Sequence, residues 1–224
     1  IALRLVGSEM CIRDRNAHIA LGLIYRIQGN GQDALTAFKK VVEDYPNTSE
    51  SREALGLAKI QYSELDQLTD YVDWIQNLTG TEIGQGQLDS TLYNGAYDRY
   101  SFGDYPAALK GMQDYLSKFP DGIFRVPANY YLAQCAFNDG LDSIAREAYE
   151  FVASSGELSF RKQTVERLAS LFYAEQNFQK AFFYYQQVLG LVGNADEGRR
   201  ARLGLMRCAK SIPVSYTHLT LPTT

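Results

Sequence analysis

The chain has 224 residues, 46% of them hydrophobic and 21% charged, with a formal net charge of −4. That length can bury a real core in one large or two small domains. The mild acidity, with no Lys/Arg stripe, excludes the electrostatic footprint of a nucleic-acid binder, and no apolar run approaches the roughly 18–20 residues that span a bilayer.

In chain order, the first segment, Ile1–Arg15 (IALRLVGSEMCIRDR), fits no helical hairpin and breaks off where a strong pattern begins. Helices are predicted at about 16–28 and 31–44, parted by Gly29-Asn30-Gly31 and stopped at Pro46. A second pair is predicted at 49–62 and 65–78, followed by a loop near 79–88 that holds Gly80, Gly84 and Gly86. The third pair, 89–101 and 104–118, turns at Phe102-Gly103-Asp104-Tyr105-Pro106. There a glycine ends one helix, Asp104 is placed to cap the next, and Pro106 sits in the first turn, where its missing N–H costs nothing. Asp139-Gly140 and Asn177 mark the turns of the next two pairs, at 125–138 and 141–154 and at 160–175 and 178–190. A last helix, 197–210, stands alone before Pro213–Thr224 (PVSYTHLTLPTT), an extended, β-prone string unlike the rest.

The pairs repeat with a period of about 34 to 40 residues. A small residue recurs in each first helix, as Gly22, Gly56, Ala96, Ala133, Ala169 and Gly204. The second helices answer with Ala34, Leu68, Ala108, Ala145 and Ala181 at spacings that move in step. Two antiparallel helices pack closely only where their crossing lacks bulk. Large side chains then fill the flanks, here Leu21, Tyr25 and Phe38, or Leu168, Phe172 and Tyr185. Each buried large side chain is worth roughly 1.5–3 kcal/mol, so single hairpins are unstable and stacking makes a continuous core. On this register Ala108→Trp overpacks a crossing and costs roughly 1–3 kcal/mol. The second repeat is degenerate, with Leu68 in place of alanine and the glycine loop in place of a closing proline.

In residues 16–46, Leu21-Gly22, Tyr25, Gly29, Ala34, Phe38, Val41 and Pro46 resemble the tetratricopeptide repeat pattern, apart from His18 at the usual tryptophan. The resemblance implies an all-α fold: a tetratricopeptide-type α-solenoid of antiparallel helical hairpins wound into a right-handed superhelix. Residues 91–151, with GDYPAAL, a Phe-Pro stop and ANYYLAQC, further resemble tetratricopeptide proteins of bacterial cell envelopes. Those include the Tol–Pal coordinator and outer-membrane assembly lipoproteins, and the stretch 16–212 resembles long repeat proteins of the Bacteroidota. This resemblance implies a periplasmic or outer-membrane-associated location. Both end strings resemble translated sequencing-adaptor sequence. The expected organisation is therefore a non-native leader (1–15), a solenoid of five hairpins and a half repeat (16–212), and a non-native tail (213–224).

The inventory of chemistry is short. His18 falls where the repeat wants a packing residue, and His218 and Cys11 lie in the end strings. Cys135 and Cys208 sit among apolar neighbours as packing residues, and no two cysteines have disulfide or metal-ligand spacing. The glycine clusters lack the GK[ST] ending and the strand–turn–helix setting of phosphate sites, so they read as turns. Glu43-Asp44 reads as solvated helix surface. Asn47-Thr48-Ser49 and Asn77-Leu78-Thr79 match the glycosylation sequon, a frequent match of little weight. No enzymatic activity, cofactor or metal is expected.

The reading is a protein–protein interaction scaffold that binds a peptide or a partner's surface, with neither nucleic acid nor a membrane span. First helices of such arrays are expected to line a concave face. Helical spacing nominates Tyr93, Tyr97 and Tyr100 in the third repeat, Tyr130, Gln134 and Phe137 in the fourth, and Glu166, Ser170 and Tyr173 in the fifth. Tyrosine brings large contact area, little rotamer entropy and a hydroxyl. Some chaperone-binding relatives grip a peptide carboxylate with Lys, Asn and Arg. Ile19, Leu23, Glu53 and Leu57 stand at those positions here, so that clamp is absent. The uncapped last helix, Arg199–Lys210, is expected to be sticky and to favour self-association. Two rival readings are a recruiting arm of a larger enzyme such as a sensor kinase, and a glycan-binding surface lipoprotein. The lone Trp74 argues against the latter, because sugar sites favour indoles.

Overall fold

The computed structural model describes the backbone of residues 2–78 and 83–212, with side chains from residue 12 onward. The described residues form eleven α-helices and no strand. They are α1 (Ala2–Ile27), α2 (Gly31–Asp44), α3 (Ser49–Glu64), α4 (Leu68–Asn77), α5 (Gln85–Ser101), α6 (Tyr105–Lys118), α7 (Arg125–Asn138), α8 (Asp142–Ser154), α9 (Arg161–Ala174), α10 (Phe178–Leu191) and α11 (Ala195–Ser211). They sort into two compact units, residues 1–102 with 113–124, and residues 103–112 with 125–224.

Helix boundaries follow the predicted ones within a few residues, except that α1 starts at Ala2 instead of about residue 16. Helical backbone runs through the expected leader. Its last residue, Arg15, donates to Glu50 at 3.3 Å and lies 5.4 Å over the Tyr45 ring. The tail 213–224 and loop positions 79–82 lie outside the described residues.

One turn closes every hairpin. Positive φ recurs at Gly29, Asp66, Gly103, Gly140 and Gln176. After α1, the N–H of Asn30 reaches back to the carbonyl of Tyr25 at 2.9 Å, and after α7 that of Leu141 reaches Ala136 at 2.8 Å. This satisfies the last carbonyls of the first helix and reverses the chain in two or three residues. Glycine adopts that conformation freely; Asp66 and Gln176 do so at some strain.

In the first unit, Gly22 explains the close approach of α1 and α2. A Cβ there would stand 2.4 Å from the Phe38 ring, which is fully buried. Leu21, expected in the core, is 41% exposed, whereas its counterpart in α9, Leu168, is fully buried. The difference is cover: α9 lies against the second helix of the hairpin before it, and α1 has no such neighbour among the described residues. Gly56 also departs from expectation. Nothing lies within 4 Å of the Cβ it lacks, while Ala54 and Ala58 are fully buried. Helix α3 packs more closely with α2 than with α4.

In the second unit the crossings are as the repeat predicts. Ala133 and Ala145 are fully buried between α7 and α8, as are Ala169 and Ala181 between α9 and α10. Between α10 and α11, a Cβ on Gly204 would stand 2.6 Å from the Tyr185 ring. Cys135 and Cys208 are fully buried, as expected of packing residues. Burial pushes both thiols up, that of Cys135 to about 11.

Polar ties one period apart join successive first helices within each unit. Arg26 pairs with Glu64, Arg99 with Asp66, and Lys162 Nζ with Glu197 Oε1 at 2.8 Å. Such exposed pairs are worth about 0–1 kcal/mol each, so they set register more than they stabilise.

Candidate partner-binding surface

The nominated residues on α5 lie in the first unit. Tyr93 is only 8% exposed; its ring stacks on Phe124 at 4.4 Å and 5°, and meets Tyr115 edge-on at 5.7 Å. Burial pushes its phenol up to about 12. Tyr97, 36% exposed, stacks on Tyr93 at 6.0 Å, and half-buried Tyr100 follows at 6.3 Å. The three tyrosines are therefore a stacked ladder, buried at Tyr93, most accessible at Tyr97 and half-buried at Tyr100. Beneath it the buried carboxylate of Asp89 accepts from the Tyr115 hydroxyl at 2.7 Å and the Ile123 N–H at 2.9 Å. The Phe124 N–H in turn donates to the Tyr115 oxygen at 3.0 Å. This network fixes the loop that carries Phe124 over Tyr93.

The second unit repeats the device. Tyr130 is 7% exposed, stacks on Phe160 at 4.3 Å and 22°, and meets fully buried Tyr149 at 6.4 Å. Its hydroxyl donates to Gln163 at 2.8 Å and accepts from Gln134 at 2.9 Å. Half-buried Phe137 lies 4.3 Å under the Arg167 guanidinium. On α9, Glu166 is half-buried, exposed Ser170 donates to the Glu166 carbonyl at 3.1 Å, and half-buried Tyr173 meets Phe178 edge-on at 5.6 Å.

Tyr93 and Tyr130, nominated as groove-lining, are thus packing residues. An aromatic residue just ahead of the following helix, Phe124 before α7 and Phe160 before α9, lies across each ring. The accessible nominated residues are Tyr97 and Tyr100 in one unit, and Gln134, Phe137, Glu166, Ser170 and Tyr173 in the other.

The sequence reading missed a crevice in the first unit. It has a volume of about 300 Å³ and is walled by Lys59 and Ser63 of α3 and by Gln87, Ser90, Thr91, Asn94 and Asp98 of α5. Leu68 and Gly95 complete its lining. Lys59 Nζ donates to Thr91 Oγ1 at 3.1 Å. Leu68 packs so tightly on α5 that a Cβ at Gly95 would stand 2.2 Å from its methyl. The signal was available: Gln87, Ser90, Asn94 and Asp98 form a polar stripe at helical spacing on α5.

Residues 18–48, within the first hairpin and the start of the next, match the family model of the tetratricopeptide repeat. No curated protein matches the sequence. Among solved structures, the chain is similar to pilF of Pseudomonas aeruginosa, at 19% identity over 88% of this chain and 84% of that one, TM-score 0.43. It is similar to a tetratricopeptide repeat protein from Parabacteroides merdae, at 13% identity over 89% and 76%, TM-score 0.41. It is also similar to MamA from Desulfovibrio magneticus, at 14% identity over 80% and 94%, TM-score 0.39.

Proposed function

We propose that the protein is a non-catalytic interaction scaffold whose first helices hold a peptide or a segment of a partner protein. The observation that carries this reading is the crevice between α3 and α5. It is a preformed, polar-walled cleft between consecutive first helices, and α5 also carries the accessible ring of Tyr97. Concave sites of this size, with a few fixed polar groups, are where ligands settle. In the second unit Gln134, Phe137, Ser170 and Tyr173 supply a second contact surface on α7 and α9. A glycan reading is less well supported. Trp74, the chain's one tryptophan, donates its Nε1–H to Glu43 at 2.8 Å and packs at 6.1 Å from Tyr62, so its indole is engaged within the fold.

The test is site-specific photo-crosslinking in the source cell, with a photoreactive phenylalanine at Tyr97 and, as a control, at exposed Lys40 of α2. Protein adducts at Tyr97 that are absent at Lys40 are expected. Identical adduct patterns at the two positions would overturn the assignment.

A further inference from the structure

Leu68, the first residue of α4, lines the crevice, and the donors and acceptors around it have a definite order along α5. Lys59 stands beside Thr91 and has ammonium protons beyond the one it gives to that hydroxyl. The hydroxyls of Ser90 and Thr91 donate to the Gly86 and Gln87 carbonyls at 2.8 Å each, which leaves their lone pairs as acceptors. Gln87 and Asn94, two turns apart, each offer both an amide donor and an acceptor, the pairing a peptide group requires. Asp98 lies seven residues beyond Thr91, about 10 Å at 1.5 Å per residue. At that end Arg99 is tied to the Ser63 carbonyl at 3.3 Å and to Asp66, so the charge presented there is the Asp98 carboxylate.

We infer that this crevice selects an extended peptide segment carrying an acidic and a basic side chain three residues apart. The inference rests on the scaffold reading above. An extended chain spans about 3.3–3.6 Å per residue and turns successive side chains to opposite sides, so side chains three residues apart are about 10 Å apart and face opposite walls, as Lys59 of α3 and Asp98 of α5 stand in the crevice. The acidic group lies against Lys59, the basic group against Asp98, and the intervening peptide groups meet Asn94. Among the described residues no aromatic ring lines the crevice, which gives a sugar no face to stack on. The wall carries charge of both signs, so a purely acidic or purely basic ligand satisfies only half of it.

The experiment is titration calorimetry of the full chain with capped hexapeptides. One has glutamate at its second position and lysine at its fifth, one has the two exchanged, one has them adjacent, and one has glutamine at both. The three-apart peptides should bind at least tenfold more tightly than the adjacent or neutral ones. Lys59→Gln and Asp98→Asn should each remove that advantage while leaving helicity unchanged, because both side chains are exposed. Equal affinity for the neutral peptide, or an advantage that survives both substitutions, overturns the inference. So does an absence of binding by every peptide while Tyr97 still forms its specific adducts, and that outcome leaves the scaffold reading standing.

Discussion

The hairpins α7–α8 and α3–α4 carry the same repeat and differ in one physical respect. In α7–α8 the small residues meet: Ala133 and Ala145 are fully buried against each other's helices. In α3–α4 Gly56 faces open space while Ala54 and Ala58 are fully buried, and α3 packs more closely with α2 than with α4. The turn at Asp66 puts Tyr71 level with Ala34, Ala108, Ala145 and Ala181, each five residues after its own turn, so a buried ring stands here where the other crossings have a methyl group. Leu68, three residues earlier, packs on Gly95 of α5. Slack within one hairpin thereby becomes a crevice at its border. A degenerate repeat is a place where closeness has been exchanged for a cavity.

The largest expected effect concerns the aromatic cover of the tight hairpin. Phe160→Ala uncovers Tyr130 and should destabilise by about 2–4 kcal/mol, near the range for deleting a buried ring. An unshifted urea midpoint would show that the stack contributes nothing. Next comes the direct comparison of crossings. Ala133→Leu should cost about 1–3 kcal/mol by overpacking, whereas Gly56→Leu should be neutral or stabilising. Equal melting shifts for the two would erase the distinction between the hairpins. A third prediction is set by pH. Burial holds the Tyr93 phenol protonated up to about 12, above the usual value of 10. The unfolded chain ionises first, so this contribution to stability is complete below pH 10 and is lost as pH rises from 10 to 12. Stability that stays flat through that window, followed by denaturant titration, would contradict the burial of Tyr93. The smallest effect is at the turns. Gln176→Gly relieves a positive φ of 60° and should stabilise by about 0.5–1 kcal/mol, read as a rise in melting temperature.

Much of the fold was legible because its signals are local. Glycine and Asp-Gly turns, proline stops and paired small residues locate ten of the eleven helices within four residues at either end. The early start of α1 was not legible, since Ile1–Arg15 has neither the period nor a cap that marks a repeat helix. The candidate surface was legible only in part. Helical spacing says which residues share a face, and it correctly grouped Tyr93, Tyr97 and Tyr100. It cannot say what lies across that face. Phe124 and Phe160 sit in loops, where no periodicity announces them, and they decide that Tyr93 and Tyr130 are buried. Gly56 failed for the complementary reason: Gly22, Ala96, Ala133 and Ala169 each lie seven residues before their turn, and seven before Asp66 stands Lys59, so spacing between small residues alone set the second repeat in the wrong register.

Trp74 gives the slack hairpin a private spectroscopic voice. It is the chain's one indole, it sits on α4, and Tyr62 and Tyr71 lie 6.1 and 6.2 Å from it, close enough to hand it their excitation. Its emission during unfolding therefore follows the opening of α3–α4, while backbone dichroism averages over all the helices. Coincident transitions by the two probes mean that the crevice is as durable as the whole chain. An earlier transition in the fluorescence means that it can open while the remaining hairpins stay folded.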